Sequence, residues 1–386
     1  MSNRLLTFVV LLIVLGMLFV VLPLLFFVVA AVIVGAISLG IWINGGKQDT
    51  SKSLPKSIDG PAFRTYEAVV PESPLKLLHF ISQPEELNLS SSLIMGDEEI
   101  ICVTAQATKS SAQRLADEIE KTGRTLTYVY LDHPHYDHSQ GASVLIKRFP
   151  NALFVAEPKV AKLQQLRMRV NDNLAKSDFG DNATDPAIPF QPLDTDKLML
   201  EGREIQLWHG YYGDVGVGLP DEPHTVIYIP DLKALLPTDI CYFGAHLMMG
   251  GTTPASRTKW KSQIREWMKM DLQVVIPGHI VRSWSDKMTP MGVLEHSLTY
   301  IEAYDEALAE SGTPAELIAK MLAKYPELGH VNALHTGALI EFREMHRLLS
   351  NPRIDKLVSF FPKSLTNWAN QKLFDSMQKA GNLAPN

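Results

Sequence analysis

The sequence predicts a mixed α+β domain that lies between an apolar N-terminal segment and a helical C-terminal extension. Three observations lead to this prediction. Residues 5–43 carry no charged side chain, residues 90–160 alternate short apolar runs with amphipathic helical patterns, and from about residue 291 the pattern is helical to the end. The predicted organisation is an anchor at 1–46, a linker at 47–65, the α+β domain at 66–290 and the helical extension at 291–386.

The N-terminal segment is long enough to cross a membrane. Its uncharged run exceeds the roughly 20 residues of a spanning helix and the roughly 7–15 residues of a secretory signal core. Either one long tilted transmembrane helix or a tight hairpin that turns near Pro23 fits this length. Arg4 precedes the run and Lys47 follows it, so the positive-inside rule favours a membrane-anchored protein with its domain on the cytoplasmic side. We expect this segment to contact membrane lipid.

Composition excludes two other classes of protein. The net charge is -6 and the chain has no dense stripe of Lys and Arg, which argues against nucleic acid as a partner. Cys102 and Cys241 are the only cysteines, too few for a disulfide framework. An oligomer is compatible with this composition.

The predicted elements follow in order along the domain. Strands at 93–95 and 100–103 form a hairpin around a Gly-Asp turn, and a helix follows at 111–121. Beyond them we predict a strand at 126–131, a helix at 142–149, a strand at 153–155 and a surface loop at 171–195 rich in Asn, Asp and Pro. The remaining predictions are strands at 204–208, 225–229, 234–236 and 272–276, a helix at 259–270, and a helix capped by residues 313–316.

Residues 132–138, which read DHPHYDH, directly follow the predicted strand at 126–131. His133 and His135 alternate by two, so in an extended segment they point the same way and can bind one metal ion together. Asp137 and His138 lie beyond a bend and can face a second ion about 3.5–4 Å from the first. Neutral imidazoles and carboxylates are good zinc ligands, so this segment predicts a metal site.

This segment resembles the HxHxDH motif of the metallo-β-lactamase superfamily, and the resemblance extends over about residues 70–290. It implies a four-layer αββα sandwich that holds two zinc ions, with iron or manganese as alternatives. By the same resemblance, Asp239 is the carboxylate that bridges both ions, and His279, in a Pro-Gly-His sequence, is a ligand of the second ion. The Gly that usually precedes the bridging Asp is Thr238 here.

One ligand of the first ion is left open by the sequence. It should come from the loop before the hairpin that leads to Asp239, and both His209 and His224 are candidates. We favour His209, because it directly follows the predicted strand at 204–208. His224 abuts the strand at 225–229 and would be a pocket residue. Asp214 is a remote third option.

The resemblance implies a binuclear zinc-dependent hydrolase that acts on a small-molecule substrate and uses a hydroxide held between the metal ions. We favour an ester or lactone-type bond in that substrate. Asp137 is the predicted catalytic residue, which orients that hydroxide and shuttles its proton. The alternatives are an iron-dependent oxidoreductase of the same fold and a catalytically degenerate binding or scaffold protein.

Other side chains are assigned by their position near the predicted site. Asp132 is expected to accept a hydrogen bond from a ligand imidazole. His224, His246 and Tyr136 are candidates for substrate binding. The other histidines are interpreted as ordinary surface or core residues: His79, His296, His330, His335 and His346.

Overall fold

The computed structural model of the chain describes residues 62–215 and 223–343. The predicted transmembrane anchor at 1–46 lies outside these ranges, as do most of the predicted linker and the last part of the predicted extension. Within the described ranges, no helix has both the length and the apolar character that a membrane crossing requires.

The first sheet has seven strands whose spatial order is their order along the chain. Strands β1 to β4 run antiparallel in succession, whereas β4 to β7 run parallel, so helices must cross between the parallel strands. The strands are β1 (Ala62–Glu67), β2 (Lys76–Ile81), β3 (Ser90–Met95), β4 (Glu99–Val103), β5 (Thr125–Leu131), β6 (Leu153–Ala156) and β7 (Gln191–Pro192).

The second sheet has five strands in the order β12-β11-β10-β9-β8. Strands β11 and β12 are parallel neighbours, and the other pairs are antiparallel. The strands are β8 (Lys197–Leu200), β9 (Arg203–Tyr211), β10 (His224–Ile229), β11 (Ala234–Phe243) and β12 (Val274–Ile280).

The described helices fall between the strands or follow the second sheet. They are α1 (Lys109–Lys121), α2 (Tyr136–Ser139), α3 (Ala142–Arg148), α4 (Pro158–Phe179), α5 (Pro254–Trp267), α6 (Pro290–Ala309), α7 (Pro314–Lys324) and α8 (Val331–Glu341).

Two apolar clusters show how these parts pack. The larger cluster joins both sheets, through residues such as Ile94 of β3 and Leu207 of β9, and continues to Trp260 of α5. The smaller cluster lies on the other face of the first sheet, where Leu93 of β3 packs with Leu115 of α1. Because successive residues of a strand point to opposite faces, Leu93 and Ile94 enter different clusters. The result is a layered, mixed α/β fold in which the two sheets face each other.

The hairpin, helices and strands predicted for 93–155 are confirmed, but the predicted loop at 171–195 is wrong in its first third. Helix α4 runs through it to Phe179. The carboxylate of Glu157 caps the first backbone N–H groups of this helix. Asn171, a poor helix former, is buried, and its side-chain amide donates to the carbonyl of Pro134. A tertiary contact therefore outweighs the local preference for a loop.

Strand β9 is longer than predicted, and this changes the surroundings of a candidate ligand. The strand continues to Tyr211, and His209 lies inside the ladder opposite Thr225 of β10. His209 is therefore a paired strand residue rather than the first residue of a loop. The sequence analysis favours His209 because the strand is predicted to end at residue 208. That predicted strand end is wrong, since the strand continues to Tyr211.

The helical extension packs directly on the domain. Helix α7 begins as predicted, with Pro314 in its first turn and the Thr313 hydroxyl accepting the N–H of Glu316. Met321 of α7 and Leu334 of α8 belong to the larger apolar cluster. The first part of the extension thus shares the core of the domain.

A partly buried ion pair supports the turn before β3. Glu86 has a side chain that is 3% exposed, and its carboxylate accepts hydrogen bonds from Arg114 and Ser110. Burial opposes the charge of Glu86, but these hydrogen bonds outweigh it and lower its pKa below the ordinary value. The next residue, Leu87, adopts the left-handed region with φ 73. The pair therefore holds a strained turn that adjoins the second sheet.

We expect Glu86→Gln to lower the free energy of unfolding by about 2 kcal/mol, because the guanidinium of Arg114 loses its charged partner. The matched control is Glu118→Gln. Glu118 pairs with Lys121, whose side chain is 68% exposed, so a change below about 0.5 kcal/mol is expected. Urea unfolding of the full-length chain in detergent, followed by tryptophan fluorescence, measures both.

The pKa of Glu86 is lower in the folded protein, so its stabilising effect is complete above its unfolded pKa. That effect is lost as the pH falls through the folded pKa. The difference between wild type and Glu86→Gln should therefore narrow in acid. If Glu86→Gln and Glu118→Gln lower the free energy of unfolding equally at neutral pH, the Glu86–Arg114 pair does not support the turn as described.

Candidate metal centre

The predicted motif leads from the end of β5 into the short helix α2. His135 has extended backbone and forms the N-cap of this helix. Two hydrogen bonds of 2.8 Å fix the segment against the loop after β4: the N–H of Ala105 donates to the carbonyl of His138, and the N–H of Gly141 donates to the carbonyl of Gln106. The bend predicted within the motif is therefore the start of a helical turn.

One group of ligand atoms is formed by Asp137, His138, Asp239 and His279. These atoms lie within 4.8 Å of one another, and all four residues are buried. The Nε2 atom of His138 is 3.1 Å from Oδ1 of Asp239. The Nε2 atom of His279 is 3.2 Å from Oδ2 of Asp239 and 3.4 Å from Oδ2 of Asp137. The structure thus brings together the four residues that the sequence predicts for the second ion.

A second group is formed by His133, His135, Asp214 and Asp239. The Nε2 atom of His133 is 3.6 Å from Oδ2 of Asp239, and the Nδ1 atom of His135 is 3.5 Å from Oδ2 of Asp214. Asp239 is common to both groups. This is the position that a bridging carboxylate would occupy.

The backbone around Asp239 is shaped to admit its carboxylate. Thr238 has φ 49, in the left-handed region where glycine is favoured, and the register of β11 and β12 shifts on either side of it. This conformation explains why a Gly at this position would be less strained. A Cβ on Gly278 of β12 would lie only 1.8 Å from Oδ1 of Asp239. Gly278 therefore makes the room that the carboxylate occupies.

Hydrogen bonds on the far side of the rings orient the imidazoles. Asp132 accepts from two of them, with Oδ2 2.6 Å from Nδ1 of His133 and Oδ1 3.2 Å from Nδ1 of His138. The Nδ1–H group of His279 donates a hydrogen bond to the carbonyl oxygen of Leu87 over 2.8 Å. Because Nδ1 donates in each ring, Nε2 presents its lone pair to the site. The predicted hydrogen bond from an imidazole to Asp132 is confirmed, and it serves two rings.

The buried carboxylates of this site favour the positively charged form of the imidazoles around them. Burial works against the charged form of His279, but the Asp239 carboxylate outweighs it and raises the pKa of His279 to about 10. The pKa of His138 is raised well above its usual range in the same way. Burial would raise the pKa of Asp239, but the charges of His138 and His279 hold it well below its ordinary value. A bound cation would supply this charge in place of the ring protons.

The donor atoms fit a divalent metal. Within the described part of the chain, the buried atoms that make no hydrogen bond of ordinary geometry include Nε2 of His133, Nε2 of His138 and Oδ1 of Asp239. Buried polar atoms normally have a partner, and imidazole nitrogen and carboxylate oxygen are ligands that zinc accepts. Both groups of residues therefore suit a metal ion.

The three candidates for the remaining ligand lie in different surroundings. His209 is exposed, its Nε2 atom is 2.8 Å from the carbonyl oxygen of Thr195, and it contributes to neither group. His224 is fully buried and stacks on His133 with ring centroids 4.5 Å apart. Its Nε2 atom is 2.8 Å from the carbonyl oxygen of Asp214. Of the three candidates, Asp214 is the one that contributes an atom to the group containing His133.

Two predicted substrate-binding residues contact helices. The hydroxyl of Tyr136 donates to Asp178 of α4 over 2.6 Å. His246 is buried, and its Nδ1 atom is 3.0 Å from the hydroxyl of Tyr300 in α6. Their roles in substrate binding stay predictions.

Sequence reasoning missed two residues of the site. The hydroxyl of Tyr242 is 3.1 Å from Oδ2 of Asp214 and 3.2 Å from Oδ2 of Asp239, so it joins the two groups. His330, interpreted above as an ordinary residue, stacks on His279 with ring centroids 4.7 Å apart. No local pattern identifies either residue, because Tyr242 resembles any apolar strand residue and His330 comes from the helical extension.

Comparison with known families gives the class of this domain. Residues 104–279 match the family model of the metallo-β-lactamase superfamily, a range that includes every residue of the two groups. The chain therefore contains a metallo-β-lactamase superfamily domain, whose fold is typical of metal-dependent hydrolases.

Solved structures that match this chain include a metallo-β-lactamase from Pontibacter korlensis. It is 14% identical with a TM-score of 0.42, and the match covers 62% of this chain and 99% of that one. TMB-1 is 14% identical with a TM-score of 0.42 and covers 64% and 98%, respectively. DIM-1 metallo-β-lactamase exposed to ceftazidime is 16% identical with a TM-score of 0.40 and covers 64% and 99%. A comparison with curated proteins finds no match.

We expect Gly278→Ala to weaken metal affinity by about 10- to 100-fold, because the added Cβ displaces the Asp239 carboxylate. The control is Gly312→Ala, where the nearest atom to an added Cβ is 3.6 Å away. Competition with a chelator, followed by metal analysis of the full-length chain, measures both variants. Wild-type affinity in Gly278→Ala would show that Asp239 does not hold the metal.

Proposed function

We propose that this chain is a hydrolase that holds two zinc ions and cleaves an ester or lactone-type bond. The observation that carries this proposal is that Asp239 is shared between two groups of ligand atoms, in which every residue except the half-buried His135 is buried. Two-metal hydrolytic sites place their ions about 3.5–4 Å apart, a separation that one carboxylate can span. The complete set of donors in both groups favours an enzyme over a degenerate binding protein.

We assign one ion to Asp137, His138, Asp239 and His279, and the other to His133, His135, Asp214 and Asp239. The second assignment replaces His209 with Asp214. The ladder position of His209 and its contact with Thr195 support this change. His224 would hold the Asp214 segment in place through its contact with the backbone carbonyl.

Bound metal ions would supply Lewis-acid chemistry, polarising a substrate carbonyl and lowering the pKa of water. In the chain itself, Asp137 is the carboxylate placed to accept a proton from the attacking water. Its side chain is 10% exposed, whereas that of Asp239 is 1% exposed. The His135 side chain is 12% exposed. Water and substrate would therefore approach past Asp137 and His135, while Asp132 keeps two rings oriented from the buried side.

We also propose that the uncharged run at 5–43 anchors the chain to a membrane, with the catalytic domain on the cytoplasmic side. The support for this proposal is the length of the run and the lysines that follow it. A substrate that partitions into membranes would then be concentrated near the enzyme.

The ligand assignment is tested by counting metal in substituted chains. We expect Asp214→Ala to retain about one metal ion per chain, because the first ion loses a ligand, and Asp214→His to retain two, because imidazole is also a zinc ligand. His209→Ala is the matched control and should retain two. Loss of metal in His209→Ala, with full metal in Asp214→Ala, would return the role to His209.

The activity is tested with zinc-loaded full-length protein on a panel of aryl esters and lactones of graded chain length. We expect hydrolysis of at least one member, and a decrease in kcat of at least about 100-fold in Asp137→Asn, because the amide cannot accept the proton. Asp181→Asn, at an exposed position on the surface, is the control and should keep the wild-type rate. Absence of hydrolysis across the panel would overturn the proposed bond class, and a wild-type rate in Asp137→Asn would remove this residue from the mechanism.

A further inference from the structure

The helical extension reaches the metal centre at the turn before α8. Gly329 makes two hydrogen bonds to the segment that follows β11. Its N–H donates to the carbonyl of Gly244, and its carbonyl accepts the N–H of His246, both over 2.9 Å. A Cβ on Gly329 would lie 2.5 Å from the Val281 side chain, so the absence of a side chain permits this close approach. The turn is thereby fastened to the segments that follow β11 and β12, which carry Asp239 and His279.

His330, the next residue, has a conformation that L residues rarely adopt. Its backbone is left-handed, with φ 57 and ψ 37, at the N-cap of α8. Non-glycine residues in this region are strained and persist where the surrounding structure holds them. Hydrogen bonds on both sides stabilise this conformation. Gly329 bonds to the segment after β11, and the N–H of Ala333 donates to the carbonyl of His330.

The ring of His330 lies against the metal site and leaves its nitrogens available. It stacks on His279 at 27° and lies 6.3 Å from the Tyr242 ring, measured between centroids. The ring also interacts electrostatically with the carboxylates of Asp137 and Asp239. Neither ring nitrogen makes a hydrogen bond to a described residue, and neither belongs to a group of ligand atoms. His330 is half-buried, and 10% of the Asp137 side chain is exposed.

We propose that His330 is a substrate-binding residue whose ring N–H donates a hydrogen bond to an oxygen of the bound acyl group. This inference rests on the proposed function and adds a residue from the extension to the site. A phenyl ring would stack on His279 equally well, so packing alone does not account for an imidazole with unbonded nitrogens. A donor beside the ligands stabilises the negative charge that develops on a carbonyl oxygen during attack by water.

The experiment compares three variants of the zinc-loaded full-length chain. His330→Phe keeps a stacking ring and removes the donor, whereas His330→Asn and His330→Gln keep a donor, and Asn also tolerates the left-handed backbone. We expect His330→Phe to retain two metal ions and the wild-type Tm but to lose about 10- to 100-fold in kcat/KM. We expect at least one of the amide variants to recover most of that loss.

A second measurement does not depend on turnover. Calorimetric titration with hexanoate, a carboxylate that resembles an ester product, should show a Kd about 10-fold weaker in His330→Phe than in wild type. If wild type hydrolyses no member of the panel but hexanoate binding still depends on His330, the proposed function fails and the His330 contact stands.

Other outcomes overturn the inference. If esters are cleaved and His330→Phe equals wild type in kcat/KM and in hexanoate affinity, His330 does not bind substrate and the proposed function survives. Loss of metal or of Tm in His330→Phe, or a loss of kcat/KM that neither amide variant recovers, would show that His330 only supports His279. If wild-type protein neither cleaves the panel nor binds hexanoate, both proposals are rejected.

Discussion

The buried carboxylate of Asp239 is the constraint on which this site depends. Its side chain is 1% exposed and lies within 3.6 Å of imidazole nitrogens from His133, His138 and His279. A buried charge is costly unless it is paired, so these rings must converge on it. The rings come from different sheets, since the motif follows β5 and His279 lies in β12. The candidate metal centre therefore joins the two sheets at one end of their interface through contacts between its side chains.

The surroundings of Asp239 are held by contacts that extend away from the metal centre. Asp132 orients two rings, and the carbonyl of Leu87 orients the third. Leu87 in turn follows Glu86, whose ion pair with Arg114 supports the turn. Leu87, in the loop between β2 and β3 of the first sheet, thus orients the imidazole of His279 in the second sheet. This arrangement gives the imidazoles fixed positions before any metal binds, which limits the cost of ordering them on binding.

The helical extension takes part in the site rather than only covering the core. The match to the superfamily ends at residue 279, yet the chain beyond it returns to His279 through His330 and the close approach of Gly329 to Val281. In this fold the ligands determine the type of chemistry, and the parts outside the ligands determine which substrate is accepted. The extension therefore adds a residue beside the candidate ligands from outside the matched range.

From the sequence alone came the hairpin, helices and strands at 93–155 and the motif at 132–138, because each depends on residues adjacent in the chain. The resemblance carried by that motif then gave Asp239 and His279 as ligands. Alternation in an extended segment pairs His133 with His135, and a strand end exposes the residues that follow it. The tertiary structure decided what depends on distant contacts. His209 lies in the ladder because β9 pairs with β10 up to Tyr211, while Asp214 reaches the site beyond that pairing. His330 reaches His279 because Gly329 bonds to the segment after β11, a contact that no local pattern encodes.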